Sequence, residues 1–528
     1  MSRRLKLSAE HGYTMAAVML VMLATTILAG ATFAAVGADI PFARESQDRK
    51  QAYAAAEAGI EYYLYQLTRD NDYWTNCDNV ADPGDGQPSP VNLEDPGDDR
   101  TWRKVAGSEA KFSIELLPSN DAAECDPDRS EETMLDESSG SFRIRSTGVS
   151  NNVRRSVVTT LRRTSFLDYL YFTDYEASDP NSFETTSQQD YARAHCVKYR
   201  TQRNQDQWCR DNTNITFPDW DAIRGPLHTN DDLLTCGTPE FGRPGEEDVT
   251  EVHGPAPGGF VRGSGCSGSP VFHGPVRQPA EHLPVPTSNA RLRQAADAAY
   301  VFAGKTEITF DGTGFMDVRR WTGNTTSTTT RMLTPPNGVV YVENNGACSL
   351  AAPREIDYNV SGEWRCGLLI VRGSYPKSMT LGAAVDILVD NNLAASVHAG
   401  PVLGLIAQRF VRVWHPVTRD SNGNCTGNGT GTRTNITVEA AILALNDSFI
   451  VDNYRCGAPL GTLTVFGAIA QKFRGPVGTF SGSTRQTGYA KNYVYNDELR
   501  YRSPPFFLDP LQAAWRVVRA NEQVPAAQ

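Results

Sequence analysis

The sequence predicts an α+β, mostly β protein with a long N-terminal helix, a small antiparallel sheet and a C-terminal right-handed parallel β-helix. An uncharged apolar run at 15–36, followed by an amphipathic pattern, predicts the helix. Strand-like segments on either side of an Asn-Asn turn predict the sheet. Short strands rich in β-branched residues, with no helical pattern between them, predict the β-helix and leave a β-sandwich as the alternative.

The run at 15–36 is long enough to cross a membrane, because a helix of that length is ~33 Å long and the hydrocarbon layer is ~30 Å thick. Arg3, Arg4 and Lys6 precede the run and predict a cytoplasmic N-terminus, with the C-terminus outside. Residues 13–38 are therefore assigned to a single-pass transmembrane helix.

Three kinds of signal fit this N-terminus. A cleaved secretory signal has a shorter apolar core of roughly 7–15 residues, although Ala34, Ala35 and Ala38 imitate its cleavage site. A plain signal anchor needs no special residue before the run. Gly12, which ends the basic leader 1–12, resembles the glycine of a class III (prepilin) signal, after which a dedicated peptidase cuts.

An amphipathic helix at 39–72 is predicted to continue the apolar one. Pro41 is expected to kink it or to interrupt one hydrogen bond. Its apolar residues recur at three- and four-residue spacing and so fall on one face: Tyr53, Ala56, Ile60, Tyr63 and Leu67.

The leader glycine, the apolar run and the block AYAAAEAGIEYYLYQL (52–67), in this order, resemble the N-terminal module of PilX-like minor type IV pilins. The resemblance implies cleavage by a prepilin peptidase after Gly12, a methylated mature N-terminus at Tyr13, and packing of the helix among other pilins. It also implies inner-membrane pilus-assembly components as partners. The expected location is the inner membrane, with the body at a filament tip or on the cell surface.

One position departs from this family. Most pilins carry a glutamate five residues into the mature chain, thought to pair with a neighbour's terminal amine, whereas this chain has Ala17. A carboxylate in lipid is costly unless it is paired, so a subunit with no neighbour above it has no use for one. Ala17 therefore favours a place at or near a filament tip, and it also puts entry into a filament in question.

Charge and cysteine content bound the exported part. The net charge of −11 argues against sequence-independent nucleic-acid binding, which needs clustered Lys and Arg. Because all the cysteines follow the apolar run, disulfides formed in an oxidising compartment are expected. Proximity suggests the pairs Cys196–Cys209, Cys236–Cys266 and Cys348–Cys366, and the remaining cysteines are Cys77, Cys125, Cys425 and Cys456.

No metal or cofactor is assigned, because no C-x₂-C pair is present and histidines are few. Calcium, which takes carboxylate oxygens, is suggested by one acidic stretch and by one segment that begins like a calcium-binding loop. The acidic stretch is the predicted loop 71–99, and its carboxylates are Asp82, Asp85, Glu94, Asp95, Asp98 and Asp99. A solvated acidic loop explains these residues better than a calcium site does. The stretch 420–431 begins D-x-N-x-N but has Cys425 at the tight-turn position and Gly431 at the closing ligand. A disordered, glycine-rich insertion is expected there.

A β head is assigned to 73–163, with strands at 110–117, Ser141–Ser150 and Val153–Arg163. The last two flank the pair Asn151-Asn152, which tolerates positive φ and predicts a hairpin.

The segment 164–290 loses periodicity, and its short apolar pieces are interpreted as the first rungs of a solenoid. His228 and His273 within it are assigned to packing or to turns.

A β-helix is assigned to 291–507, because runs such as GLLIV and AILAL are apolar on successive residues and asparagines fall at strand ends. The tail 508–528 is predicted to form a short amphipathic helix (508–522) that caps the open end. Strands are predicted at 338–344, 367–374, 384–392, 403–415, 436–445, 448–453 and 461–473. The region resembles the large C-terminal regions of uncharacterised pilin-associated envelope proteins, which implies a displayed module and no chemistry.

No enzyme motif of the G-x-S-x-G, HExxH or P-loop kind is present. The sequence therefore predicts a non-enzymatic minor pilin whose β-rich body serves scaffolding or adhesion. One alternative is a membrane-tethered, polysaccharide-active β-helix enzyme, for which Asp386, Asp390, Asp447 and Asp452 at strand ends are the candidate carboxylates. Another is an anchored envelope scaffold that is never processed.

Overall fold

The computed structural model describes residues 13–527 apart from 71, 78–91, 96–97, 120–121, 137–139, 349–362, 399, 482–483 and 511–514. A long N-terminal helix is followed by mostly β structure, which confirms the α+β class. The chain divides into two compact units. Unit 1 comprises Met1–Met134, Phe142–Leu161 and Val517–Gln528, and unit 2 comprises Leu135–Ser141 and Arg162–Arg516.

Helix α1 spans Tyr13–Arg69 and joins the predicted segments 13–38 and 39–72 into one helix. The other α-helices are short: α2 (Ser130–Met134), α3 (Thr186–His195), α4 (Arg200–Arg203), α5 (Gln207–Thr213) and α6 (Ala290–Ala295). Turns of 3₁₀ helix lie at Tyr73–Asn76, Pro127–Arg129, Phe166–Asp168, Pro180–Ser182, Pro257–Gly259, Ala298–Tyr300, Glu363–Arg365 and Asp497–Arg500.

The sheet of unit 1 has the strand order β1-β2-β3-β4-β5-β34. Its strands are β1 (Asn92–Asp95), β2 (Asp98–Lys104), β3 (Lys111–Leu117), β4 (Ser141–Ser150), β5 (Val153–Arg163) and β34 (Trp515–Gln523). Strands β1 to β4 pair antiparallel in succession, as predicted for the head. Asn151 and Asn152 turn between β4 and β5 with φ of 45° and 71°, the left-handed conformation expected of this hairpin.

The predicted C-terminal capping helix at 508–522 is wrong, because Trp515–Gln523 forms strand β34 beside β5. Trp515 and the β-branched Val517 and Val518 favour a strand. The free hydrogen-bonding edge of β5 gives this segment a partner that helical periodicity does not reveal. Gln523 accepts a hydrogen bond from Arg145 Nε (2.8 Å), so the tail belongs to the sheet of unit 1.

The predicted loop 71–99 is also partly wrong, because 92–95 and 98–99 lie in the antiparallel pair β1 and β2. Aspartate and glutamate are depleted in strands, so composition alone indicated a loop. The carboxylates Asp82 and Asp85 of the calcium hypothesis lie outside the described residues.

Unit 2 is built mainly from short strands that pair in parallel. Those in its first half are β6 (Tyr171–Ser178), β7 (Phe217–Pro218), β8 (Ala222–Arg224), β9 (Leu227–Thr229), β10 (Leu233–Cys236), β11 (Glu240–Phe241), β12 (Thr250–Val252), β13 (Phe260–Arg262), β14 (Val271–Phe272) and β15 (Val276–Arg277). The segment 164–290 is therefore less irregular than its sequence suggests.

The second half of unit 2 holds the longer strands. They are β16 (Val301–Ala303), β17 (Thr306–Asp311), β18 (Phe315–Trp321), β19 (Ser327–Leu333), β20 (Val339–Glu343), β21 (Leu369–Tyr375), β22 (Met379–Ala383), β23 (Ile387–Ala395), β24 (Leu403–Ala407), β25 (Val411–Val413), β26 (Val417–Arg419), β27 (Cys425–Asn428), β28 (Ile436–Ala444), β29 (Phe449–Val451), β30 (Thr462–Arg474), β31 (Gly478–Ser481), β32 (Thr484–Gly488) and β33 (Ala490–Tyr495). The predicted segments correspond to β20, β21, β23, β24 with β25, β28, β29 and β30, whereas the other strands of this half were not predicted.

One parallel ladder, called the main ladder here, joins ten of these strands in the order β16-β20-β22-β24-β28-β30-β6-β9-β12-β15. A second ladder runs β23-β28-β30-β33-β8-β11-β14. A third runs β17-β21-β23-β25-β29. A β-sandwich consists of antiparallel sheets, so these ladders are not those of the sandwich alternative.

The chain enters the main ladder in its middle rather than at an end. Strand β6 pairs with β30 on one side, where Tyr171 faces Ile469, and with β9 on the other, where Tyr171 faces Leu227. From β6 the chain builds the ladder to one end at β15. It then begins again at the opposite end with β16 and returns to β30, so that the two halves meet beside β6.

The predicted disordered insertion at 420–431 is wrong as well. Strands β26 and β27 form an antiparallel hairpin across this segment. Asp420 Oδ1 accepts hydrogen bonds from the backbone N–H groups of Asn422 (2.9 Å) and Asn424 (2.8 Å). The D-x-N-x-N pattern thus forms a turn that its own backbone satisfies.

Candidate functional site

The first half of α1 presents apolar side chains to the surroundings. Within the described chain, Met15–Thr32 is the one helical stretch long and apolar enough to cross a membrane, with mean hydropathy 2.0 and none of its residues buried. Among the described residues, α1 begins at Tyr13, the predicted mature N-terminus. Gly12 lies outside the described residues, so cleavage after it stays a prediction.

The second half of α1 packs on the sheet of unit 1. Four members of the predicted stripe, Ala56, Ile60, Tyr63 and Leu67, are buried. Tyr53 is 36% exposed, which corrects its assignment to the stripe. Ala52, next to Tyr53 in the chain, is fully buried, so an alanine occupies the place on the buried face that was assigned to Tyr53.

Small residues let this helix approach strand β4 closely. A Cβ on Gly148 of β4 would lie 1.9 Å from the carbonyl oxygen of Ala52, and a Cβ on Gly59 of the helix would lie 2.2 Å from Ser146 Oγ. Real Cβ atoms do not come so near, so both positions require glycine. The AAEAG block is thus a packing motif that joins the helix to the β head.

Three of the four candidate carboxylates come together in unit 2. Arg412, fully buried, lies 2.7 Å from Asp452 Oδ1 and 3.4 Å from Asp386 Oδ2. Asp447 Oδ2 accepts a hydrogen bond from Arg409 Nε at 3.1 Å. These buried carboxylates are held by arginines, as buried charges must be if they stay ionised.

Asp390, the fourth candidate, lies apart from the other three. Its Oδ2 accepts a hydrogen bond of 2.6 Å from Arg372, whose other nitrogen lies 2.6 Å from Glu307 Oε1. Burial raises the pKa of Asp390, although the Arg372 cation opposes that shift. The structure therefore does not unite all four candidates in one site.

A carboxylate that sequence reasoning missed, Asp179, joins this cluster. Its Oδ2 accepts a hydrogen bond from Ser448 Oγ (2.7 Å), and Asn181 donates to Asp447 Oδ1 (2.5 Å). Burial raises the pKa of Asp179 well above its usual value, and the charge of Asp447 raises it further. Asp179 caps a turn of 3₁₀ helix after β6. Ser448 and Asp447 are far from it in the sequence and become its neighbours only when the strands pair.

A second buried cluster lies where β6 meets the returning strands. Arg474 of β30 lies 3.3 Å from Glu176 Oε2 and 3.4 Å from Asp221 Oδ2, and its guanidinium stacks 3.5 Å from the ring centre of Phe217. Lys491 Nζ lies 2.6 Å from Asp221 Oδ2. Two cations and two carboxylates thus balance one another inside the unit.

His228 is fully buried, in agreement with its assignment to packing. Its Nδ1 lies 3.1 Å from Glu251 Oε2 and its Nε2 lies 3.2 Å from Asn230 Oδ1. Tyr169 Oη also donates to Glu251, at 2.6 Å. Although burial raises the pKa of Glu251, hydrogen bonds from His228, Tyr169 and Arg277 lower it to about 2.

This polar network continues to the surface. Asn230 Nδ2 donates to Asp174 Oδ1 at 3.0 Å, and Tyr199 Oη donates to the same oxygen at 2.9 Å. Tyr199 Oη also lies 2.7 Å from Nε2 of the exposed His282. Burial lowers the pKa of His282, against the charge of Asp174. His273, by contrast, lies 3.2 Å from Glu240 on the surface.

The cysteines of the described chain all form disulfides. Cys196–Cys209, Cys236–Cys266 and Cys348–Cys366 are bonded, as proximity suggested. The remaining bonds are Cys77–Cys125 and Cys425–Cys456. Within the described residues, no group of three or more His, Cys, Asp or Glu side chains is arranged to hold a metal ion.

Comparison with known proteins adds little to this geometry. No protein-family model matches the chain, and no curated protein gives a significant match. Three chains of solved structures match. One is the competence-associated pilin ComZ from Thermus thermophilus, 12% identical, with an alignment that covers 91% of this chain and 98% of ComZ at a TM-score of 0.29. A TM-score this low does not establish a shared fold.

Proposed function

We propose that this chain is a non-enzymatic minor pilin of the PilX-like type. The observation that carries the proposal is the division of α1, whose first half exposes an apolar surface while its second half packs on an antiparallel sheet. Exposed apolar surface of this length needs lipid or other helices to cover it. The helix therefore anchors the chain in the inner membrane, with the body outside, and packs there among other pilins.

Processing after Gly12 by a prepilin peptidase completes this proposal. N-terminal sequencing of the mature protein is the test, with Gly12→Val as the control that blocks cleavage. A chain that begins at Tyr13, and a variant that keeps its leader, are expected. A chain that begins at Met1, or after Ala38, would contradict the proposal and favour an unprocessed scaffold or a secretory signal.

The body then serves scaffolding or adhesion, and Ala17 favours a place at or near a filament tip. We infer that its three parallel ladders are the faces of a right-handed β-helix, because strands two or four apart in the chain pair in one continuous register. Immunogold labelling of sheared filaments tests the location. Label confined to filament ends is expected, whereas protein found only in inner membranes would contradict it.

The body acts on no polysaccharide in this proposal. Support comes from Asp386, Asp447 and Asp452, which are buried and bound by Arg409 and Arg412 rather than open to a substrate. A screen of polysaccharides for release of reducing ends checks this. Cleavage that disappears in Asp447→Asn would establish the enzymatic alternative instead.

A further inference from the structure

Two histidines of unit 2, His253 and His282, lie side by side where the polar network reaches the surface. Their rings meet edge to face at an angle of 71°, with centroids 5.2 Å apart. His282 is exposed and His253 is half-buried. Neither residue has a part in the proposed anchoring or display function.

The hydrogen bond of His253 fixes which of its nitrogens carries the proton. Its Nδ1 lies 2.8 Å from the carbonyl oxygen of Ala280. A carbonyl oxygen only accepts hydrogen bonds, so Nδ1 is the protonated nitrogen. In the neutral ring the lone pair is then on Nε2, which has no hydrogen-bond partner among the described residues.

Tyr199 and Asp174 together determine which nitrogen of His282 carries the proton. Tyr199 Oη donates its proton to Asp174 Oδ1 (2.9 Å) and lies 2.7 Å from Nε2 of His282. Because the hydroxyl proton is used by Asp174, Nε2 of His282 must donate to the hydroxyl oxygen. The lone pair of His282 is therefore on Nδ1, again without a partner among the described residues.

Both rings thus have the arrangement found in metal-binding histidines, in which one nitrogen donates to a carbonyl or a carboxylate-linked group and the other is left for the ion. Two imidazoles bound tetrahedrally to one ion at ~2.1 Å place their ring centroids roughly 5–5.5 Å apart. The observed 5.2 Å agrees with that spacing.

We propose that Nε2 of His253 and Nδ1 of His282 bind one divalent late transition-metal ion, Cu²⁺ or Zn²⁺, with water in its other positions. Imidazole is a preferred ligand of both ions, and Cu²⁺ binds more tightly than Zn²⁺ to a given site. His253 follows β12, whereas His282 lies in the segment between β15 and β16. The ion therefore ties the segment that connects the two halves of unit 2 to the end of one half.

The test uses the full chain in detergent, titrated with CuCl₂ and followed by electron paramagnetic resonance, with ZnCl₂ as a competitor. One Cu²⁺ per chain with two nitrogen ligands is expected. His253→Ala and His282→Ala should each weaken binding at least ~10-fold. His195→Ala, which alters another exposed histidine, is the matched control and should leave binding unchanged.

Tyr199→Phe separates a metal site from chance binding at surface imidazoles. The variant keeps both ligands and loses only the group that positions His282, so ~10-fold weaker binding with the two-nitrogen signal retained is expected. Urea midpoints without metal establish that the variants fold. Equal affinity in the wild type and in both alanine variants would overturn the proposal, as would a spectrum with one nitrogen ligand.

Discussion

The two halves of unit 2 share one backbone pattern but differ in the side chains that maintain it. The early strands, β7–β15, have two to four residues, whereas the late strands, β16–β33, have three to thirteen. Both halves bury apolar and polar side chains, but the longer late strands bury many more Val, Leu and Ile residues than the early strands do. Because short strands bury less apolar area, the early half needs other means of fixing its register.

Ion pairs and disulfides supply those means in the early half. Fully buried Arg203 and Asp231 lie 3.0 Å apart beside β9. Cys236 at the end of β10 is bonded to Cys266 after β13. Parallel register therefore survives in strands of two residues when buried charges, covalent bonds and a well-packed neighbouring half constrain them.

The largest effect is expected for Arg203→Met, which removes one partner of a fully buried ion pair. Asp231 would be left as an uncompensated buried charge, at a cost of about 3–5 kcal/mol in unfolding free energy. Urea unfolding followed by tryptophan fluorescence measures the loss. Arg193→Met, whose side chain is 42% exposed, is the control and should change stability by less than about 1 kcal/mol. Equal losses in the two variants would mean that charge does not maintain the early half.

The next effect compares two disulfides with nearly equal loops. Cys236–Cys266 and Cys425–Cys456 close sequence separations of 30 and 31 residues. By the chain-entropy argument each contributes about 3–4 kcal/mol through the unfolded state. Replacing both cysteines of a pair by serine should cost more in the early pair, because Cys236 ends the buried strand β10, whereas Cys425 lies in the exposed hairpin strand β27. Identical urea midpoints for the two double variants would contradict the comparison.

A smaller effect is expected from a single methyl group in the late half. Ile442 of β28 is fully buried among late strands. Ile442→Val should cost about 0.5–1.5 kcal/mol through lost burial and the cavity left behind. Leu333→Ala, at a site that is 59% exposed, should change stability by less than about 0.5 kcal/mol. If Ile442→Val has no effect either, close apolar packing is not what fixes the late strands.

The difference between early and late strands also decided which strands could be predicted from the sequence. Late strands such as β24 and β28 were predicted because runs of five or more apolar residues identify them. Early strands such as β11, with two residues, carry no periodic signal. Strand β34 was predicted as a helix, because its pairing depends on β5, more than 350 positions earlier in the printed sequence.

Site residues, too, could be predicted where local sequence identifies them and not where strand pairing brings them together. The processing residues Gly12 and Tyr13 and the cysteines were found from local sequence, because each is identified by its type and its place in the chain. The grouping of Asp386, Asp447 and Asp452 depends on the register of the ladders, which one sequence does not reveal. Asp179 and the pair His253 and His282 were missed for the same reason.

The smallest effect concerns the place where the halves meet, at Asp179 beside Asp447 and Ser448. Burial, together with the Asp447 charge, raises the pKa of Asp179 above the ~3.9 of an unfolded aspartate. The folded state therefore holds this proton more tightly than the unfolded state. The contribution of Asp179 to stability should therefore fall as the pH rises from about 3.9 through its folded pKa.

Asp179→Asn removes that dependence, because an amide is neutral at every pH. Its stability relative to wild type should be least favourable below pH ~3.9 and should improve steadily towards neutral pH. Urea midpoints at half-unit pH steps measure the difference. Asp190→Asn, whose side chain is 66% exposed, is the matched control and should show no such trend. A difference that stays constant with pH would mean that the folded state does not shift the pKa of Asp179, and a trend of the opposite sign would mean that Arg409 holds it as a charge.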